Sequence, residues 1–134
     1  MPNGKLNVGE AARLEVQARA KQTSANLVVA PGEQYEISAT GTWCDAEQHC
    51  CTADGYESTN WVLRMSERWR RVPEAWWFAL IAATSDGENR GVAVGTRGLY
   101  EPAASGTLVF FANDVSFMYF NNSGSVSVSV RRTR

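Results

Sequence analysis

The sequence is poor in net charge and in histidine. Its 134 residues include 13 Lys and Arg against 14 Asp and Glu, a formal net charge of −1, and one histidine. A nucleic-acid-binding domain is expected to carry a basic surface, so this balance argues against nucleic acid as a partner. With His49 alone, no Ser-His-Asp arrangement can be read, and no glycine-rich phosphate-binding motif occurs. An enzyme is therefore not expected.

Long hydrophobic runs are also missing. No apolar stretch is long enough to span a membrane, and residues 1–5 lack the charged-then-apolar pattern of a signal peptide. We therefore expect no membrane span. The location stays open between the cytoplasm, export by another route, and a sequence given without its signal. The length suits one domain with a proper core, so residues 1–134 are predicted to form a single domain.

Cysteine is scarce but clustered. Cys44, Cys50 and Cys51 fall within one short stretch of the chain. A bridge between neighbouring cysteines would need a strained ring, so the candidates are Cys44–Cys50 and Cys44–Cys51, either of which leaves one thiol over. The spacing, with His49 adjacent, is not a recognised zinc pattern.

Alternating polarity indicates strands over most of the chain. Residues 8–22 suit either a helix or a half-buried strand, and we interpret them as a strand because the remainder is so clearly β. In the last strand Val126 and Val128 are predicted to face inward and the intervening serines outward. Further strands are predicted at residues 27–30, 34–43, 76–82, 91–95, 106–112 and 125–131, and a loop at 97–105. This pattern, without a convincing long helix, predicts an all-β fold, an antiparallel β-sandwich.

Residues 44–73 have a different character. They begin polar and turn-rich, which predicts a long loop, but their second half is too apolar for disorder. We expect this half to fold over one end of the sheet, with a short strand or helical turn at 61–65 and with Trp61 and Trp69 in the core or a lid. The arginine-rich stretch 64–71 is interpreted as a solvated face.

The loop at residues 113–124 concentrates oxygen donors between two strands. Asn113, Asp114, Asn121 and Asn122 supply three amides and one carboxylate. These are hard oxygen ligands of the kind that calcium selects. Calcium accepts about six to eight oxygens at relaxed angles, so a protein can leave two positions for a sugar diol, whereas magnesium demands a tighter octahedron. The loop predicts a calcium site that also holds a sugar.

The same loop resembles a known family. The calcium loop of the PA-IL (LecA-type) galactose-binding bacterial lectins matches, in residue type and spacing, the stretch Asn113-Asp114-Val115-x-x-x-Tyr119-x-Asn121-Asn122-Ser123-Gly124-Ser125-x-Ser127-Val128. Weaker similarities lie at Pro31-Gly32-Glu33 and at Gly41-x-Trp43. The resemblance implies a small jelly-roll-like, galactose-binding-domain-like sandwich whose C-terminal loop binds calcium.

Carried onto this chain, the resemblance assigns roles to particular residues. Asp114, Asn121 and Asn122 would donate side-chain oxygens to Ca²⁺, and Met118 its main-chain carbonyl. A further carbonyl would come from the loop after Trp43, at Asp45 or Ala46. The sugar would complete the shell with two adjacent hydroxyls, which Asp114, Asn121 and the Val115 carbonyl would also hydrogen-bond.

The part of the family's site that selects galactose finds no match in this sequence. Candidates for further sugar contacts are Asp54 and Tyr56, through polar groups, and Trp61, through stacking. The calcium site therefore carries over from the resemblance, whereas the preference for galactose does not.

These observations favour a non-enzymatic, calcium-dependent lectin whose partner is carbohydrate, of the galactose type if the family's preference holds. The alternative is a structural or accessory β-sandwich in which calcium only stabilises the loop. A glycosidase would need two carboxylates flanking a bond, and Asp114 has no second carboxylate near it in sequence, although Asp45, Glu47 and Asp54 could approach it in space. Because single-site sugar binding is weak, a homo-oligomer, a dimer or tetramer, is expected to add strength through multivalency.

Overall fold

A computed structural model of the protein describes residues 4–46, 49–58, 61–85, 91–115 and 118–134. These residues form two antiparallel β-sheets that share one main hydrophobic core. The predicted antiparallel β-sandwich is confirmed. Within the described ranges, no helix is both long and apolar enough to cross a membrane.

Ten short strands and one short helix are present in the described residues. In chain order the elements are β1 Ala11–Gln17, β2 Thr23–Val29, β3 Tyr35–Thr40, β4 Trp43–Asp45, β5 His49–Cys51, α1 Trp61–Ser66, a 3₁₀ turn Glu67–Trp69, β6 Leu80–Thr84, β7 Val92–Ala93, β8 Arg97–Tyr100, β9 Gly106–Ala112, a 3₁₀ turn Tyr119–Asn121 and β10 Asn122–Arg132.

The larger sheet is built around β10. On one side β10 pairs with β1, from Ala11 opposite Arg131 to Gln17 opposite Ser125. On its other side it pairs with β4 over its first three residues and with β3 further along, while β5 and β8 extend these two strands outward. Val126 and Val128 are buried and Ser127 is exposed, so the predicted alternation in the last strand is confirmed. The start of β10 therefore lies beside β4.

The smaller sheet has the order β2-β9-β6-β7 and is covered on both faces. Its inner face contributes Leu80, Leu108 and Phe110 to the main core. Its outer face carries a second apolar cluster made of Val72, Ala75, Ala79, Ile81, Ala83, Val109 and Phe111. Since both faces are buried, β6 and the end of β9 are apolar without interruption, as strands buried on two sides are. Residues 72–79 form the cover of the outer face.

Three predicted segments differ from the structure. The strand predicted at 34–43 is two strands, because Gly41 separates β3 from β4 with a φ of 103°, a conformation that favours glycine. The apolar run 76–82 becomes a strand only at Leu80, because Phe78 has a φ of 61° and breaks the extended backbone. Residues 97–100 form β8, where a loop was predicted.

The central segment, residues 44–73, contains more secondary structure than the long loop that was predicted. Residues 61–66 form helix α1, the helical alternative of the prediction. Trp61 is 71% exposed and Trp69 is also exposed, so their interpretation as core or lid residues is wrong. Arg70 is buried, so the solvated face predicted for residues 64–71 is wrong at this position. A disulfide joins Cys44 to Cys50, one of the two predicted alternatives, and leaves Cys51 as a free thiol.

Candidate functional site

Asp114 lies two residues beyond the end of β9 and is 3% exposed. One carboxylate oxygen, Oδ1, accepts a hydrogen bond of 2.7 Å from the Val115 amide. The other, Oδ2, accepts one of 3.0 Å from the side-chain amide of Asn122. In the described part of the chain no Lys, Arg or His forms an ion pair with it. Asp114 is thus a buried carboxylate held in place by neutral donors.

The electrostatic environment of Asp114 favours its neutral form. Burial raises its pKa to about 6, hydrogen bonds from Asn122 and Val115 act in the opposite direction, and the nearby Asp45 carboxylate raises the pKa further. A desolvated carboxylate beside a second carboxylate is costly to keep charged unless a cation approaches. The surroundings of Asp114 would therefore be stabilised by a bound cation.

Two amide oxygens next to Asp114 in the loop have no partner. The Oδ1 atoms of Asn121 and Asn122 are buried and accept no hydrogen bond from the described residues. For Asn122 the amide orientation is defined, because its nitrogen donates to both Asp114 and the Ala18 carbonyl, at 3.0 and 3.1 Å. A buried acceptor without a donor costs about 1–3 kcal/mol. Such oxygens are rare in proteins and call for an unseen partner such as an ion.

The β4–β5 hairpin brings Asp45 to the same place. Asp45 is directly opposite Asn122 in the pairing of β4 with β10. Its Oδ2 accepts a 2.8 Å hydrogen bond from the Tyr56 hydroxyl, and the Tyr56 ring stacks on His49 of β5. Burial and the neighbouring carboxylates raise the Tyr56 pKa, so the hydroxyl remains a proton donor. Ala46 follows with a left-handed φ of 53°, an uncommon conformation for a residue with a Cβ.

The loop itself is closed by buried contacts. The Tyr119 hydroxyl donates a 2.5 Å hydrogen bond back to the Ala112 carbonyl at the end of β9. The Met118 amide donates to the Val115 carbonyl at 2.9 Å. Ser116 and Phe117, which the predicted calcium loop includes, lie outside the described residues. The two ends of the loop are therefore fixed to one another.

Of the three further residues predicted to contact sugar, only Tyr56 is shown near Asp114. Tyr56 lies beside Asp45 and so belongs to the surroundings of Asp114. The Asp54 carboxylate is engaged by Thr96, whose amide and hydroxyl donate to it at 2.7 and 3.0 Å. Trp61 is at the exposed start of α1. The structure brings together Asp45, Tyr56, Asp114 and Asn122, and gives Asp54 a structural partner elsewhere.

Asn113 has a role that the sequence did not reveal. Its side chain is fully buried, accepts a hydrogen bond from the Val72 amide, and donates to three carbonyls. The carbonyls are those of Val72, Ala75 and Trp76, at 2.9, 3.1 and 2.9 Å. Nothing in the spacing of the loop distinguishes this asparagine from its neighbours. It fixes residues 72–76 against the start of the loop rather than offering an oxygen to a ligand.

The ligand set predicted for calcium depends on amides and main-chain oxygens. Among the residues with described positions, no group of three or more His, Cys, Asp or Glu side chains is placed to hold a metal ion. Such a group suits zinc or other transition metals, whereas calcium takes carboxylate, amide and carbonyl oxygens together. The amide oxygen of Asn122, which lies beside the desolvated Asp114, and that of Asn121 in the same loop fit calcium in donor type.

The fold is that of a small lectin β-sandwich. Among solved structures the chain is similar to the N-terminal domain of EclA, a PllA-like lectin, with a TM-score of 0.66 and 22% identity. The match covers 90% of this chain and 94% of that one. The resemblance to PA-IL-like lectins noted in the sequence is thus confirmed at the level of the fold. No family model and no curated protein sequence matches the chain.

Proposed function

We propose that this protein is a calcium-dependent, carbohydrate-binding lectin. The observation that carries the proposal is the buried pair of Asp114 and Asn122, joined by a 3.0 Å hydrogen bond, with Asn121 adjacent to Asn122 in the chain. Among the described residues, the Asp114 carboxylate has no counter-cation, and the buried amide oxygens of Asn121 and Asn122 accept no hydrogen bond. The similarity of the fold to a PllA-like lectin supports the same class.

The donors for calcium would come from both sides of the site. Asp114, Asn121 and Asn122 would supply side-chain oxygens, the Met118 carbonyl a third type of ligand from the loop, and the main chain at Asp45 or Ala46 one from the hairpin. Bound calcium would offer its remaining positions to two adjacent sugar hydroxyls. With few charged ligands the ion would stay partly uncompensated, which strengthens hydrogen bonds from those hydroxyls to Asp114.

Galactose is the first sugar to test, because the sequence resembles a galactose-binding family. We assign the protein no catalytic role. A site that holds one diol binds weakly, so we further propose that the protein works as a homo-oligomer, in which several sites act together. Sedimentation velocity would show whether the protein is a dimer or tetramer in solution.

Isothermal titration calorimetry tests the proposal. The protein is titrated with galactose, glucose, mannose and fucose, first with calcium and then with a chelator. We expect binding of at least one sugar with calcium and none with the chelator. No calcium-dependent binding to any sugar, on a wider glycan array as well, would contradict the proposal.

Two variants separate a ligand-binding ion from a purely structural one. Asn121→Ala removes one unpartnered oxygen, and Asn7→Ala, at an exposed asparagine near the N-terminus, is the matched control. We expect Asn121→Ala to abolish sugar binding and Asn7→Ala to leave it unchanged. If Asn121→Ala lowers the melting temperature while sugar still binds, the ion only stabilises the loop.

A further inference from the structure

A polar groove lies beside the candidate site. It has a volume of about 480 Å³ and opens between residues 57–58 and the stretch from α1 to Trp76. The lining side chains used below are Glu57, Ser58, Arg64, Glu67, Arg70 and Trp76.

Residues that line the groove are neighbours in the chain of residues that surround Asp114. On one wall, Glu57 follows Tyr56, whose hydroxyl holds Asp45. On the other wall, Arg70 forms an isolated antiparallel bridge with Val115, and the Arg71 amide donates a 3.1 Å hydrogen bond to the Asp114 carbonyl. Tyr56 is close enough to interact electrostatically with Asp114 and with Arg70. On each wall, a residue that lines the groove, Glu57 or Arg70, is thus next in the chain to a residue that contacts the surroundings of Asp114.

Arg70 is a buried cation in the lining of the groove. Its residue is 7% exposed, and its guanidinium lies over the Trp77 ring at 5.0 Å. One terminal nitrogen donates to the Pro73 carbonyl, whereas Nε has no hydrogen-bond partner in the described residues. Burial lowers the pKa of Arg70, and the Glu67 and Glu74 carboxylates act in the opposite direction. The Nε atom is itself buried, so what Arg70 brings to the lining of the groove is its positive charge.

The opposite wall is held in one arrangement by its own hydrogen bonds. The Trp77 indole donates to the Ser58 hydroxyl at 3.0 Å, and that hydroxyl donates to the Glu67 carboxylate. The main chain of Tyr56 exchanges two hydrogen bonds with that of Trp77. Polar groups that are fixed before a ligand arrives lose little freedom when it binds.

The chemistry of the lining suits an uncharged, hydroxyl-rich ligand. Three carboxylates, those of Glu57, Glu67 and Glu74, stand against the guanidiniums of Arg64 and Arg70, so the lining carries more negative than positive charge. This excess disfavours an anionic ligand. Trp76 is 49% exposed and offers an indole to the apolar face of a pyranose ring.

We propose that this groove is a second saccharide subsite, which takes a neutral sugar unit attached to the unit held at the calcium site. The inference rests on the proposed function. Its ligand class is therefore a neutral oligosaccharide of at least two units. The first sugar unit is held by Asp114, Val115 and Asn121 at the calcium site, and the next unit is selected by the groove residues within 57–58 and 61–76.

Calorimetry with paired ligands tests the subsite. The monosaccharide that binds best in the panel of galactose, glucose, mannose and fucose is compared with neutral disaccharides that carry it at the non-reducing end. A disaccharide with the same terminal unit on glucuronic acid provides the anionic comparison. We expect at least one neutral disaccharide to bind about tenfold more tightly than the monosaccharide, a difference of about 1.4 kcal/mol, and the anionic one to gain nothing.

Variants assign the gain to the groove. Trp76→Ala is expected to remove the disaccharide gain and to leave the monosaccharide Kd unchanged, while Trp69→Ala, at an exposed tryptophan that does not line the groove, leaves both unchanged. Glu57→Gln, at an exposed position, is a second variant in case Trp76→Ala unfolds, and thermal melts show which variants are folded.

The outcomes distinguish the subsite from the calcium site. Calcium-dependent monosaccharide binding without any disaccharide gain overturns the subsite and leaves the proposed function intact. A gain that Trp76→Ala and Glu57→Gln both leave unchanged also overturns it. Absence of binding to every sugar overturns both inferences.

Discussion

Two buried carboxylates of the sandwich, Glu33 and Asp114, differ in their partners: the first is paired with cations and the second has only neutral donors among the described residues. Glu33 accepts hydrogen bonds from the Ala30 amide and the Tyr35 hydroxyl, at 2.8 and 2.7 Å. It also forms ion pairs with Lys5, at 2.5 Å, and Arg132, at 3.4 Å. Asp114 is 3% exposed, against 9% for Glu33, but among the described residues it has only the Asn122 side chain and the Val115 amide as donors.

The pKa values of the two groups reflect this difference. Burial alone would raise the pKa of Glu33, but hydrogen bonds from Lys5, Tyr35 and Ala30 outweigh it and lower the pKa below its usual value. Burial raises the pKa of Asp114 to about 6, since its neighbours do not compensate for it. A carboxylate that carries its own cations stabilises the fold, whereas one without them is available to a cation from solution. Under the proposed function, the two residues would represent a structural and a binding use of the same chemical group.

Exchanging each carboxylate for its amide gives the largest expected effect. Asp114→Asn should weaken calcium binding by at least about 100-fold, more than is typical of an outer-shell change, because it removes a charged ligand. Its metal-free melting temperature should stay level or rise, since an uncompensated buried charge is lost. Calorimetry and thermal melts measure the two effects.

Glu33→Gln is the matched control for that exchange. It should leave calcium affinity unchanged and lower the free energy of unfolding by about 2 kcal/mol, because charge-assisted hydrogen bonds are lost. If Asp114→Asn and Glu33→Gln change calcium affinity equally, the assignment of Asp114 as the calcium ligand and Glu33 as a structural residue is contradicted.

The pH dependence of the two groups should differ in sign. The folded-state pKa of about 6 at Asp114 lies above the ordinary 3.8, so the metal-free fold binds this proton more readily than the unfolded chain. Through Asp114 alone, stability should fall as the pH rises from about 4 to about 6, by on the order of 2–3 kcal/mol. Glu33, with its pKa below the ordinary 4.5, contributes stability that is lost as the pH falls through its folded-state pKa.

Calcium binding should follow the Asp114 proton. Below pH 6 the ion must displace it, so the affinity should fall about tenfold for each further pH unit. Melts and calcium titrations at pH 7.5, 6 and 5, with Asp114→Asn as the control, measure both effects. A calcium affinity that is equal at pH 7.5 and 5 would contradict the assignment of Asp114 as a ligand.

The Cys44–Cys50 disulfide should support the calcium site as well as the stability of the fold. Replacing Cys44 and Cys50 by Ser opens a loop with a sequence separation of 6, which should lower the free energy of unfolding by about 2 kcal/mol. It should also weaken calcium binding, because the β4–β5 hairpin places Asp45 and Ala46. Cys51→Ser is the control, since burial raises the pKa of this thiol to about 11 and keeps it protonated. Equal calcium affinity with and without the disulfide would show that the hairpin supplies no ligand.

Tyr56→Phe should give the smallest change. The variant removes one hydrogen bond to Asp45 and should lower the free energy of unfolding by about 1 kcal/mol. Calcium affinity should fall less than tenfold, since Tyr56 orients a neighbour and is not a ligand. Tyr100→Phe on β8 is a change of equal size away from the hairpin. A larger loss of sugar binding than of calcium binding in Tyr56→Phe would instead make its hydroxyl a direct sugar contact.

The sequence predicted the sandwich because its strongest signals are local. Val126 and Val128 alternate with serines in β10, and that period alone assigns the buried face. The signal failed at residues 76–82, where burial on both sides made a bent segment look like a strand. It failed again at β8, because Gly98 and a neighbouring Pro102 are typical of loops. In both cases the tertiary surroundings determined the backbone.

Some residues of the candidate site could likewise be predicted from the sequence, and others could not. Asp114, Asn121 and Asn122 could be assigned because they lie in one loop with a recognisable spacing, and their role as ligands stays a prediction. The convergence of Asp45 and Tyr56 on that loop depends on strand pairing, and the groove depends on how residues 57–58 and 61–76 lie against each other. Neither arrangement leaves a periodic trace in the sequence. The identity of Asn113 as an anchor and of Arg70 as a buried cation emerged only from their contacts.

The four hydrogen bonds of Asn113 hold one wall of the groove through its main chain, so some side chains that line the groove can be substituted. Residues 72–76 are held by the main-chain groups that the Asn113 amide binds and by the buried side chains of Val72 and Ala75. Substitutions at the groove residues Arg64 and Trp76 would leave both intact. If the proposed function holds, a library randomised at these two positions with Asn113 retained should therefore yield folded proteins that differ in oligosaccharide preference and keep the same calcium-dependent binding.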